Sequence, residues 1–145
     1  MVVLNKQSQK NLIELNNLSQ SFELIDLNIT GNELSKDKYD ILVFYSDYNL
    51  TINQSILYGY LNCLKINRFE GTVGTLKIPG GAFELPLLTS KIIKKYSPRL
   101  CLIVGCIIKG ETQHYEFLSS TVTNAIRNVS FENNTPILNL SLIHI

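Results

Sequence analysis

Leu100-Cys101-Leu102-Ile103-Val104-Gly105-Cys106-Ile107-Ile108 decides the fold: of these nine residues only Gly105 and the two cysteines are not aliphatic. A continuous apolar run of this length reads as a strand buried on both faces, the condition of a strand inside a parallel sheet. A similar run upstream, Ile41-Leu42-Val43-Phe44-Tyr45, predicts another buried strand. Between them, Ile52, Ile56, Tyr60 and Leu64, with Leu57 and Leu61 beside them, recur at helical spacing and predict an amphipathic helix ending near Asn67. Thr72 to Ile78 then reads as a strand that Pro79-Gly80-Gly81 stops, because proline cannot donate to a ladder and glycine opens a tight turn. A helix is expected from Phe83 to Tyr96, with Pro86 in its first turn, where a missing N–H costs little.

Beyond the decisive run, Gly110-Glu111-Thr112 leads into a helix expected from Gln113 to Val129, with Phe117, Val122 and Ile126 near one face. Pro136-Ile137-Leu138-Asn139-Leu140 begins a last core strand. Short connections between alternating strands and helices permit only right-handed crossovers into a parallel sheet. The expected fold is a three-layer α/β/α sandwich around a parallel four-stranded sheet. Residues 1–39, rich in Asn, Gln and Ser with Leu12, Leu15 and Leu18 at helical spacing, read as an N-terminal extension, and residues 40–145 as the domain.

Composition narrows the function. The 145 residues carry 13 Lys plus Arg against 12 Asp plus Glu, so no basic footprint for nucleic acid is expected. With 45% hydrophobic and 17% charged residues the chain is a folded globule rather than a disordered one. Its apolar runs are far shorter than the ~20 residues that span a bilayer. The start, with Asn5, Lys6, Gln7 and Ser8, lacks the pattern of a secretory signal, so a cytoplasmic location is expected. Cys63, Cys101 and Cys106 show no metal-ligand spacing and read as buried, reduced thiols.

Ligands of open parallel sheets bind at the carboxyl ends of the strands. The unusual polar residues gather in the three loops expected there. The loop Ser46-Asp47-Tyr48-Asn49 offers an aromatic ring that can stack on a flat heterocycle or simply pack. In Pro79-Gly80-Gly81-Ala82-Phe83-Glu84, paired glycines let the main chain approach a ligand, and Glu84 is an acceptor for hydroxyl groups or a helix-start carboxylate. Lys109-Gly110-Glu111-Thr112-Gln113-His114 opens a helix whose free N–H groups can hold a phosphate, aided by the Thr112 hydroxyl and the Lys109 charge. His114 is the histidine near this edge, a residue type suited to proton transfer near neutrality, though Thr112 as a plain cap and His114 as a surface residue fit the pattern equally. Together the loops describe a ligand with a planar ring, a polyol and a phosphate.

The strings Ile78-Pro79-Gly80-Gly81-Ala82-Phe83-Glu84-Leu85-Pro86 and Gly105-Cys106-Ile107-Ile108-Lys109-Gly110-Glu111-Thr112-Gln113-His114-Tyr115-Glu116 closely resemble the two signature loops of the 6,7-dimethyl-8-ribityllumazine synthases, the lumazine synthase family of riboflavin biosynthesis. Tyr48-Asn49 resembles the family's aromatic-Asn pair, and Pro136-Ile137-Leu138-Asn139 the start of its last core strand. The resemblance implies a flavodoxin-like strand order and a transferase that joins 5-amino-6-(ribitylamino)uracil to 3,4-dihydroxy-2-butanone 4-phosphate, with no metal or redox cofactor. Tyr48 would stack on the pyrimidine ring, with Asn49 beside it. Ala82, Phe83 and Glu84 would contact the ring or the ribityl chain, and Cys106, Ile107 and Ile108 would line the same pocket. Gly110, Glu111 and Thr112 would hold the phosphate, and His114 would donate the proton. The implied assembly is a homo-oligomer, a pentamer or a pentamer-based icosahedral shell in which Asn139 and the residues after it face the adjacent protomer's site. Riboflavin synthase is a further candidate partner.

The chain departs from the family pattern in two places. The proline loop carries one glycine more than the commonest form, and Leu140-Ser141-Leu142-Ile143-His144-Ile145 replaces the usual continuation after Asn139, so the C-terminal helices and their phosphate-clamping arginine are expected to be absent. A catalytically impaired shell or a flavin- or lumazine-binding protein of the same fold is therefore the alternative to an active enzyme.

Overall fold

The computed structural model describes residues 21–27 and 38–141. The leucine-spaced segment near Leu12 and the ending that contains His144 lie outside them. The described residues form five strands, β1 (Glu23–Asp26), β2 (Ile41–Ser46), β3 (Thr72–Ile78), β4 (Leu100–Val104) and β5 (Ile137–Leu140), and three helices, α1 (Leu50–Ile66), α2 (Leu85–Tyr96) and α3 (His114–Asn133). All pairings are parallel, in the order β1-β3-β2-β4-β5. Counted from β2, this is the flavodoxin-like order with one strand added at an edge.

That added strand corrects the expected sheet of four. Glu23-Leu24-Ile25-Asp26 has no long apolar run, but it pairs in register with Thr72 to Thr75 of β3. Phe22 and Leu27, which flank it, are both buried. Part of the stretch read as a lead segment is thus built into the sheet.

Side-chain alternation along the strands divides the core in two. Leu42, Phe44, Cys101 and Ile103 point to one face and pack with Leu85 and Ile93 of α2 and with Val122, Ile126 and Val129 of α3. Ile41, Val43, Tyr45, Leu102 and Val104 point to the other, where Leu57 and Leu61 of α1 meet them. Every residue of β2 is buried, which explains its unbroken apolar run. Truncating Leu57 or Leu61, 1% and 2% exposed, to alanine is expected to cost about 2–5 kcal/mol.

The elements differ from expectation where a boundary depends on partners rather than composition. β4 ends at Val104, paired with Tyr45 and Leu140, and Gly105 to Ile108 leave the sheet although they are as apolar as the residues before them. α2 begins at Leu85, two residues after Phe83, with Pro86 in its first turn. α3 runs on to Asn133 and ends where Asn134 turns left-handed at φ 48°, its N–H donating to the Phe131 carbonyl and the Thr135 N–H to that of Ser130. Phe117 does not share the packed face of Val122 and Ile126; it is 69% exposed, and Val129 takes its place.

Candidate active site

β2, β3 and β4 all end at one edge of the sheet, since Ser46 is in register with Ile78 and Tyr45 with Val104. The three following loops therefore converge. Between them lies a cavity of about 670 Å³, whose walls include Tyr48, Ala82, Phe83, Cys106, Thr112 and His114.

The first wall is the β2–α1 turn. Asn49 precedes α1 in the left-handed region, at φ 56°, a conformation that asparagine tolerates better than most residues. The turn projects the Tyr48 ring, 57% exposed, over the cavity. Asp47 also lines it, with Lys77 3.7 Å from its carboxylate.

The second wall is the glycine loop. Gly80 sits at φ 96°, so its backbone favours glycine, and a Cβ there would lie 2.8 Å from Glu84 Oε2, pushing aside the side chain that braces the loop. Glu84 Oε2 accepts from the Gly81 N–H at 2.7 Å. Its carboxylate thus holds the loop together rather than lining the cavity. Buried Ala82 and exposed Phe83 form the surface here. Tyr48 N–H donates to the Gly80 carbonyl at 2.9 Å and Asp47 N–H to that of Ile78 at 2.8 Å, which locks the first two walls together.

The third wall is the path from β4 to α3. Cys106 and Ile107 are buried and Ile108 is half-exposed, all against the cavity. Burial pushes the Cys106 thiol up, opposed only in part by the Asn49 amide beside it, so at neutral pH it is a packing group rather than a nucleophile. Gly110, Thr112 and His114 follow at the solvent side, with His114 the first residue of α3. Lys109 Nζ sits 5.4 Å from the centre of the Tyr115 ring, which lines the cavity one step beyond His114. The site is graded: apolar and enclosed beside Ala82 and Cys106, exposed and polar at the amino end of α3, where free N–H groups and the helix dipole favour an anion.

Most of the expected site residues meet here. Tyr48, Ala82, Phe83, Cys106, Ile107, Ile108, Gly110, Thr112 and His114 line the cavity. Asn49, Glu84 and Glu111 are not among the lining residues; Glu84 and Glu111 are exposed, and Glu111 sits between Gly110 and Thr112, which do line the cavity. Asn139 is elsewhere, in a recess between α3 and β5 with Ile126, Arg127 and Phe131, where its Oδ1 accepts from the Ser141 N–H and hydroxyl. Tyr115 and Leu118 line the cavity too; Tyr115 lies in the second signature string but is given no site role there, and no motif includes Leu118. Their signal is position in the first turns of the helix that His114 opens. The expectation of three buried thiols fails for Cys63, which is exposed on α1, while Cys101 and Cys106 are buried. Among the described residues no group of three or more His, Cys, Asp or Glu side chains could hold a metal ion, and no helix is long and apolar enough to cross a membrane.

Comparison with known proteins gives a consistent result. The family model described as 6,7-dimethyl-8-ribityllumazine synthase matches residues 38–142. Proteins named 6,7-dimethyl-8-ribityllumazine synthase are similar to the chain: that of Buchnera aphidicola subsp. Baizongia pistaciae (strain Bp) is 37% identical over 107 residues, covering 71% of this chain and 65% of the relative. That of Prochlorococcus marinus (strain MIT 9312) is 33% identical over 113 residues, 74% of this chain and 71% of the relative. That of Pyrococcus furiosus is 36% identical over 98 residues, 68% of this chain and 60% of the relative. The chain thus spans roughly two thirds of the length of the curated relatives it matches. The matched segment contains β2 to β5 and all three loops of the cavity, and the chain belongs to the 6,7-dimethyl-8-ribityllumazine synthase family.

Proposed function

We propose that the cavity binds 5-amino-6-(ribitylamino)uracil and 3,4-dihydroxy-2-butanone 4-phosphate and condenses them to 6,7-dimethyl-8-ribityllumazine. The uracil amine attacks the ketone and forms an imine with loss of water, phosphate is eliminated, and the second ring closes with loss of a second water. Supporting this reading is the grading of a single cavity, with an exposed aromatic ring and an apolar wall at one end and Gly110, Thr112 and His114 at the start of a helix at the other.

In this reading Tyr48 stacks on the pyrimidine ring, and Ala82 and Phe83 with Cys106 to Ile108 enclose it. Thr112, Gly110 and the amino end of α3 take the phosphate, with Glu111 at the rim. Glu84 and Asn49 act by holding the loops in place. His114 donates and accepts the proton during imine formation and elimination. Holding two reactants face to face contributes up to roughly 7–11 kcal/mol in well-oriented cases, and the proton transfer a further ~10²–10⁴-fold.

The same reading places Asn139 at the cavity of an adjacent protomer in a cytoplasmic homo-oligomer, a pentamer or a shell built from pentamers, with riboflavin synthase as a candidate partner. Exposed apolar side chains on α3 and β5, Phe117, Phe131, Leu138 and Leu140, support a face that meets another copy. The test is to mix the protein with both substrates and follow the absorbance of the lumazine product. Product above the uncatalysed rate supports the enzyme. Tight riboflavin binding without product assigns the non-catalytic alternative.

A further inference from the structure

We propose that Asn53, a residue of α1 outside the cavity, is the positioning residue that holds Tyr48 against the bound ring; this rests on the stacking role given to Tyr48 above. Asn53 and Ser46 are both 0% exposed. Asn53 Nδ2 donates to the Ser46 carbonyl at 2.8 Å, the Ser46 hydroxyl at 2.9 Å and the Tyr48 carbonyl at 2.9 Å. The Ser46 hydroxyl reaches the same Tyr48 carbonyl at 3.3 Å. On the other side of the residue, Tyr48 N–H is held by the Gly80 carbonyl.

Both peptide groups flanking the Tyr48 Cα are therefore fixed, one by a buried helix side chain and one by the opposite wall of the cavity. The ring is 57% exposed, so its placement comes from this main-chain grip rather than from neighbours packed around it. Two of the three partners of Nδ2 are carbonyls, which only accept, so the nitrogen must face them. Oδ1, on the buried side, finds no partner among the described residues. An unmatched buried acceptor is costly. A leucine could fill this position on the packed face of α1, beside Leu57, without that cost. The amide at residue 53 is explained by the turn it holds.

The experiment compares Asn53→Ala and Asn53→Ser in the full chain, alone and combined with Tyr48→Ala. Asn53→Ala is expected to weaken riboflavin binding, followed by flavin fluorescence, by about ten-fold, the factor expected from one or two lost hydrogen bonds. It should raise KM for the uracil substrate similarly and leave KM for the butanone phosphate unmoved. Asn53→Ser, which keeps one donor, should recover part of the loss. In the Tyr48→Ala background, Asn53→Ala should change riboflavin affinity by less than about two-fold. Additive losses, or equal losses for both substrates, overturn the proposal. Amide hydrogen exchange needs no ligand: Asn53→Ala should expose the Tyr48 N–H while β2 stays protected, with Asn53→Ser in between, and unchanged Tyr48 protection in Asn53→Ala also overturns it. Failure of the wild type to form lumazine counts against the reaction alone, because the riboflavin and exchange measurements decide the role of Asn53 without turnover.

Discussion

Replacing Gly105 by alanine adds one methyl group where three elements meet. A Cβ there would lie 3.0 Å from Leu85 Cδ1, 3.2 Å from Ser141 Cβ and 3.3 Å from Ala82 Cβ. Carbon atoms pack best at about 3.5–4.0 Å. Leu85 is 0% exposed and has little room to turn, and the other two contacts are to atoms fixed to the backbone. The whole junction must give by a few tenths of an ångström. Overpacking of this kind costs about 1–3 kcal/mol, and the gain from a stiffer unfolded chain, about 0.4–1 kcal/mol, offsets part of it. Gly105 is not at positive φ, so no backbone strain is added. The net expectation is a loss of about 1–2 kcal/mol, read in urea as a midpoint lowered by roughly 0.5–1 M at unchanged slope. Because Ala82 lines the cavity, affinity for the ring ligand should fall as well. Adding Leu85→Val, which removes the nearest methyl, should restore part of the stability. Gly110→Ala, with nothing within 4 Å, is the control and should be neutral or slightly stabilising. A Gly105→Ala protein as stable as the wild type would refute the packing at this junction.

Four other outcomes are expected. His114→Gln should lower kcat for lumazine formation by about one to a few decades while leaving riboflavin affinity in place, and an unchanged rate would make the histidine structural only. Thr112→Val should raise KM for the butanone phosphate and spare that for the uracil; the reverse pattern would move the phosphate site. Burial lifts the Cys101 thiol from 9.0 to about 12. The unfolded chain therefore releases this proton first, and the contribution of Cys101 to stability is whole below pH 9 and is lost as pH rises towards 12. Cys101→Ala should flatten the alkaline limb of the stability profile. In alkylation at about pH 8, exposed Cys63 should react well before Cys106 or Cys101, and the opposite order would refute the burial assigned to them.

The parts of the fold legible in the sequence are those whose signal is local. The runs at Ile41 to Tyr45 and Leu100 to Val104 announce strands covered on both faces, and the spacing of Leu57 and Leu61 announces the helix that covers one of them. β1 is a different case. Glu23-Leu24-Ile25-Asp26 mixes polar and apolar residues, and only its register with β3 makes it a strand. The end of β4 is hidden for the same reason, since Cys106 and Ile107 are as apolar as Leu102, and only the neighbouring strands determine where pairing stops. At the site, the loop glycines, Thr112 and His114 can be read from motif and spacing. The inward turn of Glu84 onto Gly81 and the grip of Asn53 on Tyr48 cannot, because they depend on side-chain orientation within a folded turn. Phe117 is read as sharing a face with Val122 and Ile126, yet nine residues of helix at 3.6 per turn place it roughly opposite Ile126, and it faces outward.

The early exit of β4 has a bearing on how this protein can change over generations. Residues 105–110 belong to neither strand nor helix, and Cys106, Ile107 and Ile108 border the cavity. A peptide group is the same whatever side chain it carries. A ligand edge that meets main chain along this stretch is read by spacing, not by residue identity. Exchanges among aliphatic residues at 107 and 108 should therefore leave recognition intact, whereas inserting or deleting one residue between Val104 and Gly110 should abolish it. This wall of the cavity tolerates changes of letter and not of count.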